Sequence, residues 1–200
     1  MKGVILLNGE PYSGNIDTEN KFVVCCDGAL RWAEGKGVRI DLITGDFDSL
    51  GYIPEGAVKF PAEKDQTDGE IALDLLAEKG ADEIEIYGGA GRREDHFFGN
   101  VGLLIKAKRL GIKAVFITDH TEFYIVDGRA ELVGKKGKTV SLVPLTEKLR
   151  INNSEGLKYG MKDLVITLGE SRGLSNIVTE DKAFFEISEG EGLLFIVRRL

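Results

Sequence analysis

Short apolar runs alternate with charged, helix-type segments over the first 120 residues of the chain. Three stretches repeat the same order of charged helical tail, glycine, apolar strand and polar loop, at residues 33–46, 77–91 and 108–120. A glycine supplies the left-handed backbone conformation that ends a helix. The candidate helix ends are Gly35 or Gly37, Gly80 and Gly111. This alternation predicts parallel strands joined by crossover helices, and therefore a doubly wound, mostly parallel α/β sheet in the N-terminal part.

Five apolar runs have the length of core strands, at residues 4–7, 22–26, 41–44, 84–87 and 114–118. Thr67 and Glu70 form a capping box that is expected to begin a helix extending to about Lys79. A second helix is predicted over residues 96–110, with Asp95 at its N-terminus. The side chains expected to face the core are Ile71, Leu75 and Leu76 in the first helix and Phe98, Val101, Leu104 and Ile105 in the second.

The pattern changes after His120, where short β-type runs separated by turn residues replace the helical segments. These runs cover residues 122–126, 130–133, 139–143, 164–168, 183–187 and 193–197. Turns such as Asp127–Gly128 are typical of connections between antiparallel strands. We therefore predict two domains, an α/β domain over residues 1–121 and an all-β domain over residues 122–200 that forms a sandwich or a small barrel.

Composition and charge narrow the class of protein. Hydrophobic residues make up 42% of the 200 residues, enough for a sizeable core, and no apolar run approaches the roughly 20 residues of a membrane helix. A net charge of −7 argues against nucleic-acid binding, which relies on excess cationic charge. Cys25 and Cys26 are neighbours on a strand and point to opposite faces, so we expect free core thiols rather than a disulfide. With no signal peptide visible, the expected location is the cytoplasm.

Polar residues directly follow several of the predicted strands. They occur at Asn8–Gly9, Asp27–Gly28, residues 45–48 and residues 88–93. Ligands of open α/β sheets bind beyond the carboxyl ends of the strands. We therefore expect these four segments to line one edge of the sheet.

Carboxylates are concentrated in two of the loops. Asp46 and Asp48 alternate in the sequence Gly-Asp-Phe-Asp-Ser, a spacing that places both side chains on one side of an extended chain. Asp65 and Asp68 lie in a second loop, Lys64–Asp68, which follows the short apolar run 57–60. Several acids at one sheet edge repel one another unless a cation lies between them, and this predicts a magnesium site. The alternative is a solvated loop surface, with Asp68 placed only to favour the helix dipole.

A glycine-rich segment, Gly88 to His96, is a candidate phosphate-binding turn. Its glycines let backbone amides approach an anion, and Arg92 and Arg93 carry donors suited to phosphate oxygens. It matches neither the Walker motif nor the dinucleotide fingerprint. Together with the acids it indicates a nucleoside triphosphate held by magnesium. Asp95 is interpreted as a base for an attacking hydroxyl or as a helix cap, and His96 as a structural hydrogen-bonding group more readily than a catalytic one.

The order of these motifs resembles that of the thiamin pyrophosphokinase family. The resemblance rests on Asp27–Gly28, Gly45–Ser49, Lys64–Asp68 and Gly88–Asn100, and it continues into the β region through residues 141–145, 156–159 and Ser175–Asn176. It implies transfer of the pyrophosphoryl group of ATP to the hydroxyl of thiamin, giving thiamin diphosphate and AMP. It also implies a C-terminal β-sandwich and a homodimer.

The resemblance implies roles for individual residues. Asp46, Asp48 and Asp68 would hold Mg²⁺ and act in catalysis together with Asp95. Ser175 and Asn176 would contact thiamin. The residues expected at the ATP site are Asn8, Asp27, Gly28, Asp65, Thr67, Gly88, Arg92 and Arg93.

Two departures from the family pattern bear on the nucleotide. Ala29 follows Gly28 where the family has a second glycine, and Arg92 precedes Arg93 where the family has glycine. The added side chain at Arg92 leaves the preferred donor nucleotide open. Two rival functions also remain at this point: (pyro)phosphoryl transfer to another heterocyclic alcohol such as a pterin, and a non-catalytic module that senses nucleotide or thiamin.

Overall fold

The computed structural model describes residues 1–61, 63 and 65–198. Lys64, part of the second acidic motif, lies outside the described residues. The chain divides into two compact units, Met1–Asp119 and His120–Leu200. Within the described part of the chain, no helix combines the length and apolar character needed to cross a membrane.

The first unit is built on six parallel strands. Their bounds are β1 Lys2–Leu6, β2 Lys21–Cys26, β3 Leu42–Gly45, β4 Val58–Lys59, β5 Glu83–Tyr87 and β6 Lys113–Ile117. They are ordered β6-β5-β1-β2-β3-β4, and every pair is parallel. The chain adds strands on one side of β1 and then on the other, so the strand order reverses at β1. Such a reversal opens a crevice at the carboxyl ends of the strands. The predicted doubly wound α/β fold is confirmed.

Three helices connect these strands, α1 Ala29–Gly35, α2 Asp68–Glu78 and α3 Glu94–Arg109. The capping box predicted for α2 is confirmed, because the Thr67 side chain accepts from the Glu70 amide and the Glu70 carboxylate accepts from the Thr67 amide. Gly37, Gly80 and Gly111 adopt positive φ after the three helices, as expected. For α1 the sequence predicted only the C-terminal end, near Gly35 or Gly37, and not the start at Ala29.

Parts of the predicted helix faces are wrong. In α2, Leu75 is half-buried and Leu73 is buried, because Leu73 lies three residues before buried Leu76 and shares its face. In α3 the buried residues are Leu103, Leu104 and Ala107, while Phe98 is 80% exposed. Phe98 lies five residues before Leu103, about 140° away around the helix.

The start of α3 also corrects a sequence interpretation. Its N-cap is Arg93, with no side-chain cap hydrogen bond, so Asp95 is not the cap residue. Asp95 lies two residues after the N-cap, in the first turn of the helix. A carboxylate there remains favourable, because the N-terminal end of a helix carries partial positive charge.

The two cysteines belong to the core of the first unit. Cys25 and Cys26 are both buried and neither forms a disulfide, as expected. Burial raises the pKa of the Cys25 thiol to about 12, so this thiol is protonated and unreactive.

The second unit is an antiparallel sandwich. Its strands are β7 Thr121–Val126, β8 Arg129–Glu131, β9 Thr139–Pro144, β10 Lys148–Glu155, β11 Leu164–Thr167, β12 Asn176–Ile177, β13 Phe184–Glu189 and β14 Gly192–Val197. They form the orders β12-β9-β14-β7 and β11-β10-β13-β8. Buried side chains from both sets of strands pack into one core. Leu142 and Leu194 come from the first set, and Ile151 and Phe185 come from the second. The all-β C-terminal fold is confirmed, although β10 and β12 were not predicted.

Candidate active site

A cleft of about 730 Å³ opens in the first unit where the predicted loops meet. Its walls come from the ends of the four strands β1, β2, β3 and β5 and from the starts of α2 and α3, as the strand-end argument predicts. The lining residues are Leu7, Asn8, Gly9, Cys26, Asp27, Asp46, Asp48, Ser49, Thr67, Asp68, Gly69, Gly89, Ala90, Arg92, Arg93, Asp95, His96, Gly99 and Asn100. Acidic and cationic side chains therefore share one cleft although they are distant in sequence.

Three carboxylates converge in this cleft. One oxygen from each of Asp27, Asp46 and Asp48 lies within 4.8 Å of the other two. Asp27 is only 6% exposed, and its Oδ1 is buried without a hydrogen-bond partner. A buried, unpaired carboxylate oxygen is costly unless a cation or a donor reaches it. The donor set of three carboxylates suits a hard divalent cation such as Mg²⁺.

The backbone at the ends of β2 and β3 brings these acids together. Asp27 has a φ of +44°, and its amide donates to the Thr44 carbonyl oxygen at 2.8 Å. A Cβ on Gly45 would meet the Asp27 Cβ at 2.9 Å, so only glycine permits this close approach of the two strand ends. The tight junction explains why Asp27 lies beside the acids that follow β3.

The loop after β3 turns both of its carboxylates to the same side. Phe47, between them, is 3% exposed and has a φ of +66°. Its burial in the core anchors the strained turn. The Asp48 amide donates to Asp46 Oδ1 at 3.1 Å, and Ser49 Oγ donates to Asp48 Oδ1 at 3.2 Å.

The second acidic motif contributes to the cleft in part. Asp68, in the first turn of α2, lines the cleft but does not belong to the group of three carboxylates. Its carbonyl oxygen lies 3.5 Å from the Cys26 Sγ, which donates to it. Thr67 also lines the cleft, whereas Asp65 is exposed and is not among the lining residues.

The glycine-rich turn after β5 packs closely against the end of β1. The carbonyl oxygen of Gly88 accepts from the Gly9 amide. Gly88 has a φ of +72°, and a Cβ there would lie 2.3 Å from the Leu7 carbonyl oxygen. Gly88 thus allows the turn to pack closely against the end of β1. Gly89 and Ala90 form part of the cleft wall.

Two arginines border the cleft and differ in their partners. Arg93 forms an ion pair with Asp95, with Nη2 to Oδ2 at 2.6 Å and Nε to Oδ1 at 3.1 Å. Hydrogen bonding from Arg93 lowers the pKa of the Asp95 carboxyl to about 2. Arg92 is exposed and makes a long contact of 3.5 Å from Nη1 to Asn8 Oδ1. His96 lines the cleft, and its amide donates to Asp95 Oδ1.

Gly28, the remaining residue predicted for this site, lies under Asn8. A Cβ at Gly28 would meet the Asn8 Nδ2 at 2.4 Å, so the glycine allows the Asn8 side chain to lie close to the start of α1. Gly28 does not line the large cleft but lines a smaller pocket beside it.

The candidate thiamin residues lie in the second unit. Ser175 is exposed, has a φ of +58°, and its amide donates to Ser141 Oγ at 3.0 Å. Asn176 is 5% exposed, and its side chain serves the backbone of Tyr159: Oδ1 accepts from the Tyr159 amide and Nδ2 donates to the Tyr159 carbonyl at 2.7 Å. Asn176 therefore holds a loop in place, while Ser175 faces solvent.

Several lining residues were not singled out as site residues from the sequence. Cys26 precedes Asp27 on the same strand end, so its position was available from the strand argument. Gly69 and Gly99 line the cleft because α2 and α3 begin there. Asn100 donates from Nδ2 to the Gly89 carbonyl oxygen at 2.9 Å and so secures the glycine-rich turn.

Comparisons with known proteins agree with this geometry. Residues 15–116 match the family model described as thiamin pyrophosphokinase, catalytic domain, and residues 125–194 match that described as thiamin pyrophosphokinase, vitamin B1 binding domain. A thiamine pyrophosphokinase of Bacillus subtilis is 32% identical over 164 residues, which cover 77% of this chain and 76% of the relative.

Solved structures give the same result. A crystal structure of thiamine pyrophosphokinase from Bacillus subtilis superposes with a TM-score of 0.88 at 26% identity and covers 100% of both chains. A crystal structure of thiamin pyrophosphokinase from Geobacillus thermodenitrificans superposes with a TM-score of 0.84 at 27% identity. The match covers 100% of this chain and 98% of that chain.

Proposed function

The chain belongs to the thiamin pyrophosphokinase family, and from this premise we propose that it transfers the pyrophosphoryl group of ATP to the hydroxyl of thiamin, giving thiamin diphosphate and AMP. The observation that carries the proposal is the cleft in which three converging carboxylates face two arginines and a glycine-rich turn. Phosphoryl-group transfer depends on positioning and on neutralising charge, and this set of groups supplies both.

We assign the metal site to Asp27, Asp46 and Asp48, with Asp68 on the adjoining wall. The unpartnered Oδ1 of buried Asp27 is the atom that most needs a cation, and the three carboxylates fit Mg²⁺. When bound, Mg²⁺ supplies charge neutralisation to the phosphate oxygens. The carboxylates fix where that charge lies relative to the glycine-rich turn.

The cationic side of the cleft orients the nucleotide. Arg93 carries donors suited to phosphate oxygens, and its ion pair with Asp95 holds the guanidinium at the start of α3. A carboxylate with a pKa of about 2 is a poor proton acceptor at neutral pH. We therefore assign Asp95 the role of positioning Arg93, rather than that of a general base. Asn8 and Arg92 also border this space.

The second unit is proposed to bind thiamin and to mediate a homodimer. Its match to a vitamin B1 binding domain supports the first role. Ser175, exposed at a positive-φ turn, is the proposed contact, and Asn176 supports it by fixing the Tyr159 loop. We also propose a cytoplasmic location, which the buried thiols Cys25 and Cys26 support because they form no disulfide.

The direct test is incubation with ATP, Mg²⁺ and thiamin, followed by chromatography. The expected products are thiamin diphosphate and AMP in equal amounts, whereas an ordinary kinase would release ADP. Asp46→Asn keeps the size of the side chain and removes one charge from the metal site. We expect it to lower kcat by at least about 100-fold.

Asp181→Asn is the matched control, because Asp181 is an exposed aspartate of the second unit and is not among the residues that line the cleft. It should keep full activity. Wild-type protein that binds ATP and thiamin yet forms no product would refute the enzymatic role and favour a sensing module.

A further inference from the structure

A second, smaller pocket of about 220 Å³ lies beside the cleft in the first unit. It is lined by Asn8, Pro11, Gly28, Arg31, Trp32, Ser49 and Arg92. Asn8, Ser49 and Arg92 also line the large cleft, so the two spaces adjoin. Whole-ligand sites measure roughly 300–1,000 Å³, and this pocket is therefore large enough only for one part of a ligand that extends from the cleft.

The walls of this pocket are fixed before any ligand binds. The Trp32 Nε1 donates to the Leu7 carbonyl oxygen at 3.2 Å, which orients the half-buried indole. The Arg31 Nη2 donates to the carbonyl oxygens of Ser49 and Leu50 at 2.9 and 3.3 Å, which holds the guanidinium over the loop of the acid cluster. A preformed pocket loses little conformational entropy on binding.

The chemistry of the walls differs from that of the cleft. Among the residues that line the small pocket none is acidic, and two are arginines. Guanidinium groups donate to ring nitrogens and carbonyl oxygens of nucleobases and stack on their faces, and an indole offers a further apolar face. Pro11 adds an apolar surface without an amide donor. A planar heterocycle with hydrogen-bond acceptors matches this combination.

We propose that the pocket between Arg31, Trp32 and Arg92 binds the nucleobase of the donor nucleotide, an assignment that rests on the proposed function of the cleft. The phosphates lie at the metal site and the glycine-rich turn, and the nucleoside extends past Asn8 into the small pocket. Arg92 borders both spaces and so contributes to the choice of nucleotide. A phosphate subsite is the competing assignment for two arginines, and binding of a base-free ligand separates the two.

The experiment compares ATP with inorganic tripolyphosphate, which carries the phosphates without a base. Titration calorimetry with Mg²⁺ and without thiamin measures both affinities on the full chain without turnover. Wild-type protein should bind ATP at least about tenfold more tightly than tripolyphosphate, the ratio expected from one hydrogen bond to a charged group. Equal affinity for the two ligands would overturn the proposal.

Two variants test whether the tighter binding of ATP arises in the small pocket. Arg31→Met should reduce the ratio of the two affinities about tenfold, and Arg92→Gly should reduce it in the same direction. Any disturbance of the acid cluster by Arg31→Met weakens both ligands and cancels in the ratio. Lys36→Met, which removes a cation at the other end of α1 outside the pocket, should keep the wild-type ratio.

An unchanged ratio in both arginine variants would exclude the small pocket as the base site. In Arg92→Gly, a fall in tripolyphosphate affinity as large as that in ATP affinity would favour the phosphate subsite instead. Because no step requires thiamin, failure of this proposal is distinct from failure to form thiamin diphosphate.

Discussion

Asp27 shows how a single buried carboxylate ties the fold to the chemistry. Its side chain is enclosed where β2 meets β3, close to two other acids, and one of its oxygens has no partner. Such an arrangement destabilises the metal-free protein, because like charges repel and an unsatisfied buried group is costly. The same arrangement favours a divalent cation.

The variant Asp27→Asn tests both effects of this carboxylate, which are lower stability without metal and binding of a divalent cation. Asparagine tolerates the positive φ at this position, so the backbone is retained. Without metal, the variant should be more stable than the wild type by about 1 kcal/mol, which corresponds to a rise in melting temperature of about 2–4 °C. With Mg²⁺, the wild type should gain stability and the variant should not.

Melting curves recorded with and without Mg²⁺ measure both effects, and Asp181→Asn provides the comparison for loss of an exposed carboxylate. A metal-free Asp27→Asn protein that melts below the wild type would contradict the assignment of a repulsive cluster.

The lowered pKa of Asp95 predicts how its contribution to stability depends on pH. Its pKa falls from 3.8 to about 2 in the folded protein because Arg93 donates hydrogen bonds to the carboxylate. Since the folded-state pKa is the lower one, the pair contributes stability above pH 3.8, and this contribution is lost as the pH falls through about 2. Carboxyl ¹³C NMR should find Asp95 ionised at pH 3.

Removal of the partner should restore an ordinary titration. In Arg93→Ala, the Asp95 carboxyl should titrate close to 3.8. Arg92→Ala should leave it near 2, because the Arg92 guanidinium contacts Asn8. A midpoint that stays near 2 in Arg93→Ala would show that another group holds the carboxylate.

At the scale of elements, α2 links local capping to the cleft. Thr67 and Glu70 satisfy each other's backbone amides at 3.2 and 2.9 Å, and Thr67, Asp68 and Gly69 all line the cleft. Thr67→Ala should lower the free energy of unfolding by about 1 kcal/mol. Because the first turn then frays, the KM for ATP should rise, while the molar ratio of AMP to thiamin diphosphate should stay at one.

Urea denaturation and steady-state kinetics measure these two effects. Glu70→Gln keeps a capping-box side chain at the same position and should preserve most of the stability. Equal unfolding free energies for Thr67→Ala and the wild type would mean that the box does not support this end of the helix.

Elements with strong local signals were predictable from the sequence, and those defined by tertiary packing were not. The α2 capping box and the glycines after the helices determine structure within a few residues, and both were predicted. The strand β10 has only Leu149 and Ile151 pointing inward before a polar segment, so its pattern is weak. Phe98 is exposed because the packing of α3, which the sequence does not specify, selects a different face.

The candidate site was predictable to a similar degree. Positions at strand ends follow from the parallel topology, which is why Asp46, Asp48 and Arg93 were placed at one edge. Membership of Asp27 in the carboxylate group depends on the close approach at Gly45, and the pairing of Asp95 depends on the rotamer of Arg93. Distances of this kind arise from packing between elements, and no spacing in the sequence encodes them.

At the scale of the whole molecule, the two units carry different parts of the proposed reaction. Every residue of the cleft lies in Met1–Asp119, whereas the match to a vitamin B1 binding domain lies in His120–Leu200. We therefore expect ATP and thiamin to change hydrogen exchange in different units. Binding stabilises the segments that a ligand contacts and slows their local opening.

Hydrogen exchange measured by mass spectrometry tests this division. ATP with Mg²⁺, added without thiamin, should slow exchange in the loops after β2, β3 and β5 and at the starts of α2 and α3. Thiamin should slow exchange around Ser175 and in the loop that Asn176 holds through Tyr159. The variant Asp46→Asn should lose the first response and keep a folded second unit. If ATP with Mg²⁺ protected the second unit as strongly as the cleft, the division of roles between the units would be wrong, since protection follows contact.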